Sequence, residues 1–166
     1  MDWTIQRRTA AGGGVFLKIS TKGRYAVRLM TDIAENMGDG YVSLKDAAER
    51  QGVSLKYLEQ IVTMLCRNGF LDSQRGAQGG YRLAKPAGEC VVGDILRATE
   101  SGIAPVACLE DGAEECPRSE ECPTIGLWTG LYNVINDYLG SVTIADLTGG
   151  GAAGWGGLGG WGRGKV

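Results

Sequence analysis

The sequence predicts a mainly α-helical chain with a small β wing: a winged helix-turn-helix head followed by a long dimerisation helix. Three observations carry this reading. Two amphipathic helical stretches flank a three-residue turn, Gly52-Val53-Ser54. A hairpin with a glycine-rich tip, Gln74 to Gly80, follows the second of them. Beyond a cysteine-containing loop, apolar residues recur at steps of three and four from Trp128 to Val142.

Taken in order, the first sixteen residues have no apolar period and contain Gly12-Gly13-Gly14. They are expected to be a disordered or extraneous extension. Thr21 to Met37 places Ala26, Leu29, Met30, Ile33 and Met37 on one apolar stripe, and Gly38-Asp39-Gly40 ends the helix. Ser43 and Asp46 have the spacing of a capping box for a short helix whose Ala47-Ala48 face lets a neighbour approach closely. Gly52 closes it and Ser54 caps the next helix. That helix, Leu55 to Asn68, buries Leu58, Ile61, Val62 and Leu65 and turns Lys56, Tyr57, Glu59, Gln60 and Thr63 outward. Val91, Val92, Ile95, Leu96 and Ala98 form a further short helix expected to pack on the first. After the loop, Trp128, Leu131, Ile135, Tyr138 and Val142 make a coiled-coil-like seam that Leu127, Val134 and Leu139 widen. A stripe of that width must be covered, and the same helix of a second subunit is the favoured cover. Ser141 to Leu147 reads as a short apolar close, and 148–166 as a disordered glycine-rich tail containing Trp155 and Trp161. The chain thus divides into an extension at 1–16, a head at 17–85, a loop and dimerisation helix at 86–147, and the tail.

Charge follows this division. From Lys18 to Lys85 there are 11 basic and 7 acidic residues, net +4, whereas Pro86 to Leu147 holds 2 basic and 11 acidic, net −9. A basic head on an acidic body suits a polyanion met by the head alone. The candidate DNA-contacting residues are Ser54, Lys56, Tyr57, Glu59 and Gln60 on the second helix of the pair. Arg75, Gly76 and Gln78 at the wing tip join them, with Lys22 and Arg24 at the start of the first helix. Helix side chains of this kind reach base edges in a major groove. Arginine enters a narrow minor groove, and glycines let backbone amides approach phosphates. The competing readings are a plain helical hairpin and a wing that binds protein.

Other classes are disfavoured. No apolar run approaches a membrane span, and residues 1–14 lack a secretory core. A cytoplasmic location with reduced thiols is expected, and five cysteines do not make a fully paired framework. The chain contains no histidine, nucleophile elbow or phosphate loop, so neither an enzyme nor a small-molecule substrate is expected.

The loop reads Cys108-x7-Cys116-x5-Cys122 among Glu110, Asp111, Glu114, Glu115, Glu120 and Glu121. Thiolates and carboxylates repel unless a cation lies between them. Four readings stay open: an iron–sulfur cluster completed by a fourth ligand, a zinc site short of its usual fourth ligand, a thiol–disulfide switch, or a loop with no ligand. Cys66 and Cys90, with apolar neighbours, read as small core residues.

Several of these stretches together resemble the Rrf-two family of bacterial transcription regulators. They are Lys18-Ile-Ser-Thr-Lys-Gly-Arg-Tyr-Ala26, Ser54-Leu-Lys-Tyr-Leu-Glu-Gln-Ile61, Arg75-Gly-Ala-Gln-Gly-Gly-Tyr81 and the three-cysteine loop. Leu17 falls where that family's initiator methionine usually sits, and the likeness covers about 17–147. It implies a homodimeric winged-helix repressor or activator on a pseudo-palindromic double-stranded DNA operator. In its cluster-binding members three loop cysteines hold an iron–sulfur cluster, here Cys108, Cys116 and Cys122, of the 2Fe-2S or 4Fe-4S type. The family also includes nitric-oxide and iron sensors and a cluster-free cysteine regulator, so a thiol-redox or metabolite-responsive regulator is the alternative. Ile125 stands where the cluster-biogenesis regulator has a histidine ligand, and Arg24 where the nitric-oxide sensor has an aspartate, which leaves the fourth ligand open.

Overall fold

The computed structural model describes residues 19–149 except Ala77, Ser101 and Glu115. The expectations for 1–16 and for most of the tail, Trp155 and Trp161 included, lie outside the described residues.

Helix α1 (Thr21–Asn36) runs through the centre of the head. Ser20 caps it, its hydroxyl accepting from the Gly23 N–H, which stabilises a helix start by about 1 kcal/mol. Its stripe of Ala26, Leu29, Met30 and Ile33 is buried, and each fully buried Leu or Ile contributes about 2 kcal/mol. Helix α2 (Leu44–Gln51) packs Ala47 and Ala48 inward and stops at Gly52, which takes the left-handed conformation (φ 65°) and donates its N–H to Ala48 and Glu49. The expected Ser43–Asp46 capping box is not formed: Ser43 precedes α2 but makes no side-chain cap bond. The chain there is fixed differently. Val42 and Tyr81 exchange two backbone hydrogen bonds of 2.8 and 2.9 Å, so the wing sets the entry to α2. Helix α3 (Leu55–Arg67) is capped by Ser54 and buries Leu58, Ile61, Val62 and Leu65, as the periodicity predicts.

Strands β1 (Leu71–Gln74) and β2 (Gly80–Leu83) pair antiparallel with Leu71 opposite Leu83 and Gln74 opposite Gly80. The inward-facing Leu71 and Leu83 join the core; the rest of β1 is exposed. Helix α4 (Val92–Thr99) packs on α1 and α3, placing Ile95 in the same core cluster.

Helix α5 (Ile125–Ser141) returns antiparallel along α4. Arg97 donates to Asn136 at 3.1 Å, and Gly93 lies close enough to Leu139 that a Cβ would sit 3.2 Å from its carbonyl oxygen. The stripe divides in two. Tyr132, Leu139 and Val142 pack on Val92, Leu96 and Ile103, while Leu127, Leu131 and Val134 face outward at 64, 38 and 65% exposure.

The stretch expected to be an apolar close contains a single helical turn, α6 (Ile144–Leu147), that anchors it to the head. Thr143 donates both its N–H and its hydroxyl to Asp146 at 2.8 and 2.7 Å, which holds that carboxyl below the usual aspartate range. Thr143 bridges Val91, the Ile144 N–H donates to the Cys90 carbonyl, and Ile144 is fully buried in the head. The head's core therefore draws Cys90, Ile95 and Ile144 from beyond the wing.

Candidate nucleic-acid interface and cysteine loop

The interface is built by α3 and the wing. Because Leu58, Ile61, Val62 and Leu65 turn inward, Lys56, Glu59 and Gln60 are left exposed on the opposite face. Ser54 lies at the tip of the turn, its hydroxyl accepting from the Tyr57 N–H at 3.3 Å. Tyr57 is half-buried: it packs on the head's core, and its ring meets that of Tyr25 edge-on, with centroids 5.8 Å apart and planes at 89°.

At the wing, Arg75, Gly76 and Gln78 are exposed on the connection between β1 and β2. Among the described residues Arg75 and Lys56 have no acidic partner, so their charges are available to an anion. The glycines have separate physical reasons. Gly76 has φ 117°, a conformation L side chains rarely adopt. A Cβ on Gly80 would overlap the carbonyl of Val42, so the bridge that seats the wing needs glycine there. Arg82 is held back by Asp72 at 3.6 Å and by the Tyr41 ring, its guanidinium 5.0 Å from the centroid. Lys22 and Arg24 sit in the first turn of α1, half-buried and exposed respectively.

The cysteine loop joins α4 to α5. Cys108 lies in a single 3-10 turn, Ala107–Leu109, and is exposed; Cys116 and Cys122 are half-buried. The backbone hydrogen bonds inside the loop are short-range, such as Ser119 N–H to Cys116 and Glu121 N–H to Arg118. Ile103 and Ala104 anchor the start of the loop in apolar packing, so only the thiol-bearing stretch beyond them is held this lightly. A hydrogen bond shared with the Thr124 hydroxyl, 3.5 Å away, and the Thr124 and Ile125 amides hold the Cys122 thiol below the usual cysteine range. Burial pushes Cys66 and Cys90 up. Cys90 is fully buried and Cys66 packs against the core, in keeping with a filling role.

The donor set suits an iron–sulfur cluster in chemistry, since three thiols share one loop and one, Cys122, is held below the usual cysteine range. In position it is open. Among the described residues no three Cys, Asp or Glu side chains are gathered closely enough to hold a metal ion.

Sequence reasoning missed two groups. Thr124, two residues after Cys122, was legible as a hydroxyl at a helix start. Glu100 was not: its carboxylate accepts from both the N–H and the hydroxyl of Ser20, 80 residues away.

A helix-turn-helix with a wing docked on its core defines the winged-helix class of DNA-binding proteins. Comparison with known proteins is consistent and narrower. Residues 19–150 match the Rrf2 (Rrf-two) model, described as an iron-dependent transcriptional regulator. The HTH-type transcriptional regulator IscR of Erwinia tasmaniensis is 41% identical over 131 residues, covering 79% of this chain and 78% of that one. IscR of Pectobacterium atrosepticum is 40% identical over 79% of each. Among solved structures, CymR, the global cysteine regulator of B. subtilis, superimposes with TM-score 0.64 at 39% identity over 78% of this chain and 95% of that one. T. potens IscR gives 0.62 at 41% identity over 78% and 85%. The chain belongs to the Rrf2 family; it is a DNA-binding transcription regulator and not an enzyme. Among the described residues no helix is long and apolar enough to cross a membrane.

Proposed function

We propose that the protein is a cytoplasmic homodimer that reads a pseudo-palindromic double-stranded DNA operator, with affinity set by the state of its cysteine loop. One observation carries the DNA reading: α3 presents an exposed polar face beside a glycine-shaped wing whose Arg75 is unpaired among the described residues. Ser54, Lys56, Glu59 and Gln60, with Tyr57 at their edge, face the major groove. Arg75, Gly76 and Gln78 meet the minor groove or its phosphates, and Lys22 and Arg24 meet the backbone. The exposed Leu127, Leu131 and Val134 stripe pairs with its own copy. Two α3 helices then fall on successive major-groove faces, roughly 34 Å apart. In this reading 17–85 supplies the DNA contacts and 86–147 the sensing and pairing functions.

Cys108, Cys116 and Cys122 are the residues that would hold a 2Fe-2S or 4Fe-4S cluster. Such a group, when bound, supplies one-electron redox and sensitivity to iron, oxidants or nitric oxide. The names of the relatives support this reading: an iron-dependent family and IscR. To ligate together, the three thiols must be drawn inward, and the locally bonded loop permits that. The rearranged loop would shift the α4–α5 pair and so the fit of two heads to two half-sites.

Anaerobic reconstitution with iron and sulfide tests the proposal. Visible absorbance, bound iron and sulfide, and a difference in operator affinity between loaded and empty protein are expected, each lost on Cys→Ser replacement at 108, 116 or 122. Colourless, iron-free protein with unaltered operator binding overturns the cluster. A second reading, a cluster-free thiol switch, is favoured by the lowered Cys122 thiol and by kinship with a CymR solved in an oxidized form. A protein-binding winged helix is separated from both by salt, because DNA affinity falls steeply as salt rises.

A further inference from the structure

The first two turns of α1 touch both the root of the cysteine loop and the recognition helix. At the start, Glu100 Oε1 accepts from the Ser20 N–H at 3.1 Å and from its hydroxyl at 2.7 Å, and Ser20 Oγ accepts from the Gly23 N–H at 3.2 Å. Glu100 is the residue on which α4 ends and the loop begins. Its carboxylate lies over Gly23, where a Cβ would overlap it. Two residues beyond Gly23, Tyr25 presents its ring to Tyr57 edge-on at 5.8 Å, while the Arg28 guanidinium sits 4.9 Å from the Tyr25 centroid. Among the α3 candidates Lys56, Tyr57, Glu59 and Gln60, Tyr57 alone is half-buried, packed on the head's core as well as against the Tyr25 ring.

We propose that Tyr25 is a positioning residue for DNA recognition. It fixes the ring of Tyr57, and because its own helix is pinned at Ser20 by Glu100, the pose of Tyr57 depends on the root of the cysteine loop. The inference rests on the DNA-binding reading above. Tyr25 need touch no DNA. An edge-on ring pair restricts both torsions of Tyr57, so less order is lost when the protein meets its site. The bistable element is the Glu100 carboxylate, either seated on Ser20 or released. A helix is stiff enough to carry a shift of its first turn along to Tyr25.

Full-length protein with Tyr25→Leu, Tyr25→Phe and Glu100→Gln, and the Leu/Gln double variant, tests this. The probes are a duplex enriched from a random library by the wild type and a scrambled duplex of equal length. Tyr25→Leu is expected to weaken the enriched duplex about 3- to 10-fold, the range of one aromatic pair, while leaving the scrambled duplex unchanged. Tyr25→Phe restores binding. Glu100→Gln raises hydrogen exchange at the amides of residues 20–25 and shifts the Tyr57 ring carbon signals, and that shift disappears once Tyr25 is Leu. Equal weakening of both duplexes by Tyr25→Leu, or a Tyr57 shift that survives without the Tyr25 ring, overturns the proposal. If the wild type prefers no duplex, the DNA reading fails. The exchange and ring-signal measurements still decide whether the Glu100–Tyr25–Tyr57 connection exists.

Discussion

Arg50 of α2 clasps Asp32 of α1 side-on, Nε to Oδ1 at 2.8 Å and Nη2 to Oδ2 at 2.6 Å, a two-pronged bridge across the first helix pair. The contact with Asp32 raises the Arg50 guanidinium further above its ordinary value, so the guanidinium stays charged. It lies at the edge of the head, with the Arg50 side chain 38% and the Asp32 side chain 13% exposed. Asp32→Asn keeps the shape and loses the charge. A decrease of about 1 kcal/mol is expected, discounted for solvent screening, and thermal melts at low and high salt check it. An unchanged melt at low salt would refute the bridge.

Three of the thiols should react in a set order. A thiol held below its ordinary range has more thiolate than one raised by burial, and the thiolate is the nucleophile. Cys122 is therefore expected to label with iodoacetamide ahead of Cys66 and Cys90, which burial raises. Because the Cys122 value is depressed, its reactivity persists to lower pH than an ordinary thiol's and is lost as pH falls through it. Thr124→Val removes the main hydrogen bond and should move that fall-off upward. Mass spectrometry across pH reads the order, and first labelling at Cys90 would contradict it.

Gly80→Ala should undo the wing's seat. The new methyl collides with the Val42 carbonyl, so the Val42–Tyr81 bridge must open. A loss of about 2 kcal/mol is expected. DNA affinity should fall with the wing displaced while helical circular dichroism stays native. Retained exchange protection at the Val42 and Tyr81 amides would show that the bridge tolerates alanine.

Val134→Glu places a charge in the most exposed part of the α5 stripe, away from the side that packs on α4. The head should remain folded while the protein becomes monomeric in sedimentation. A dimer that survives both this change and Leu131→Glu assembles through another face.

Gly23→Ala sharpens the view of Ser20. Alanine is the better helix former by about 1 kcal/mol, yet its methyl takes the place of the Glu100 carboxylate. Expelling Glu100 offsets that gain, so a nearly unchanged melting temperature with rapid exchange at the Ser20 and Gly23 amides is the expected combination.

Much of the head was legible because its signals are local and repeat. The α3 stripe and the α1 stripe up to Ile33 turned inward, with Met37 half-buried just past the helix end; Gly52 closed α2 in the left-handed conformation, and the hairpin formed around Gly76. What failed was set by distant contacts. Ser43 has the right partner at Asp46, but the Val42–Tyr81 bridge from the wing decides the backbone before α2. Helix α6 is too short to show a period; its one sign was Thr143 three residues before Asp146. The α5 stripe was read as one seam, but periodicity could not reveal that Leu139 and Val142 are covered by α4 of the same chain while Leu127, Leu131 and Val134 face outward. The Glu100–Ser20 contact spans 80 residues and leaves no pattern in sequence. The loop thiols were legible as a set, but their spacing gave no view of how far apart an unliganded loop leaves them.

Ile144 has a consequence for how the protein is made. It is fully buried against residues that leave the ribosome long before it, and its N–H reaches back to Cys90. A nascent chain that has finished its wing still has an unfilled site in the head's core. Contacts this remote in sequence form late, and until then the apolar surface they will cover stays accessible to chaperones and proteases. The head closes only after the cysteine loop and α5 have been translated, so synthesis order couples completion of the reading surface to the presence of the segments proposed to govern it.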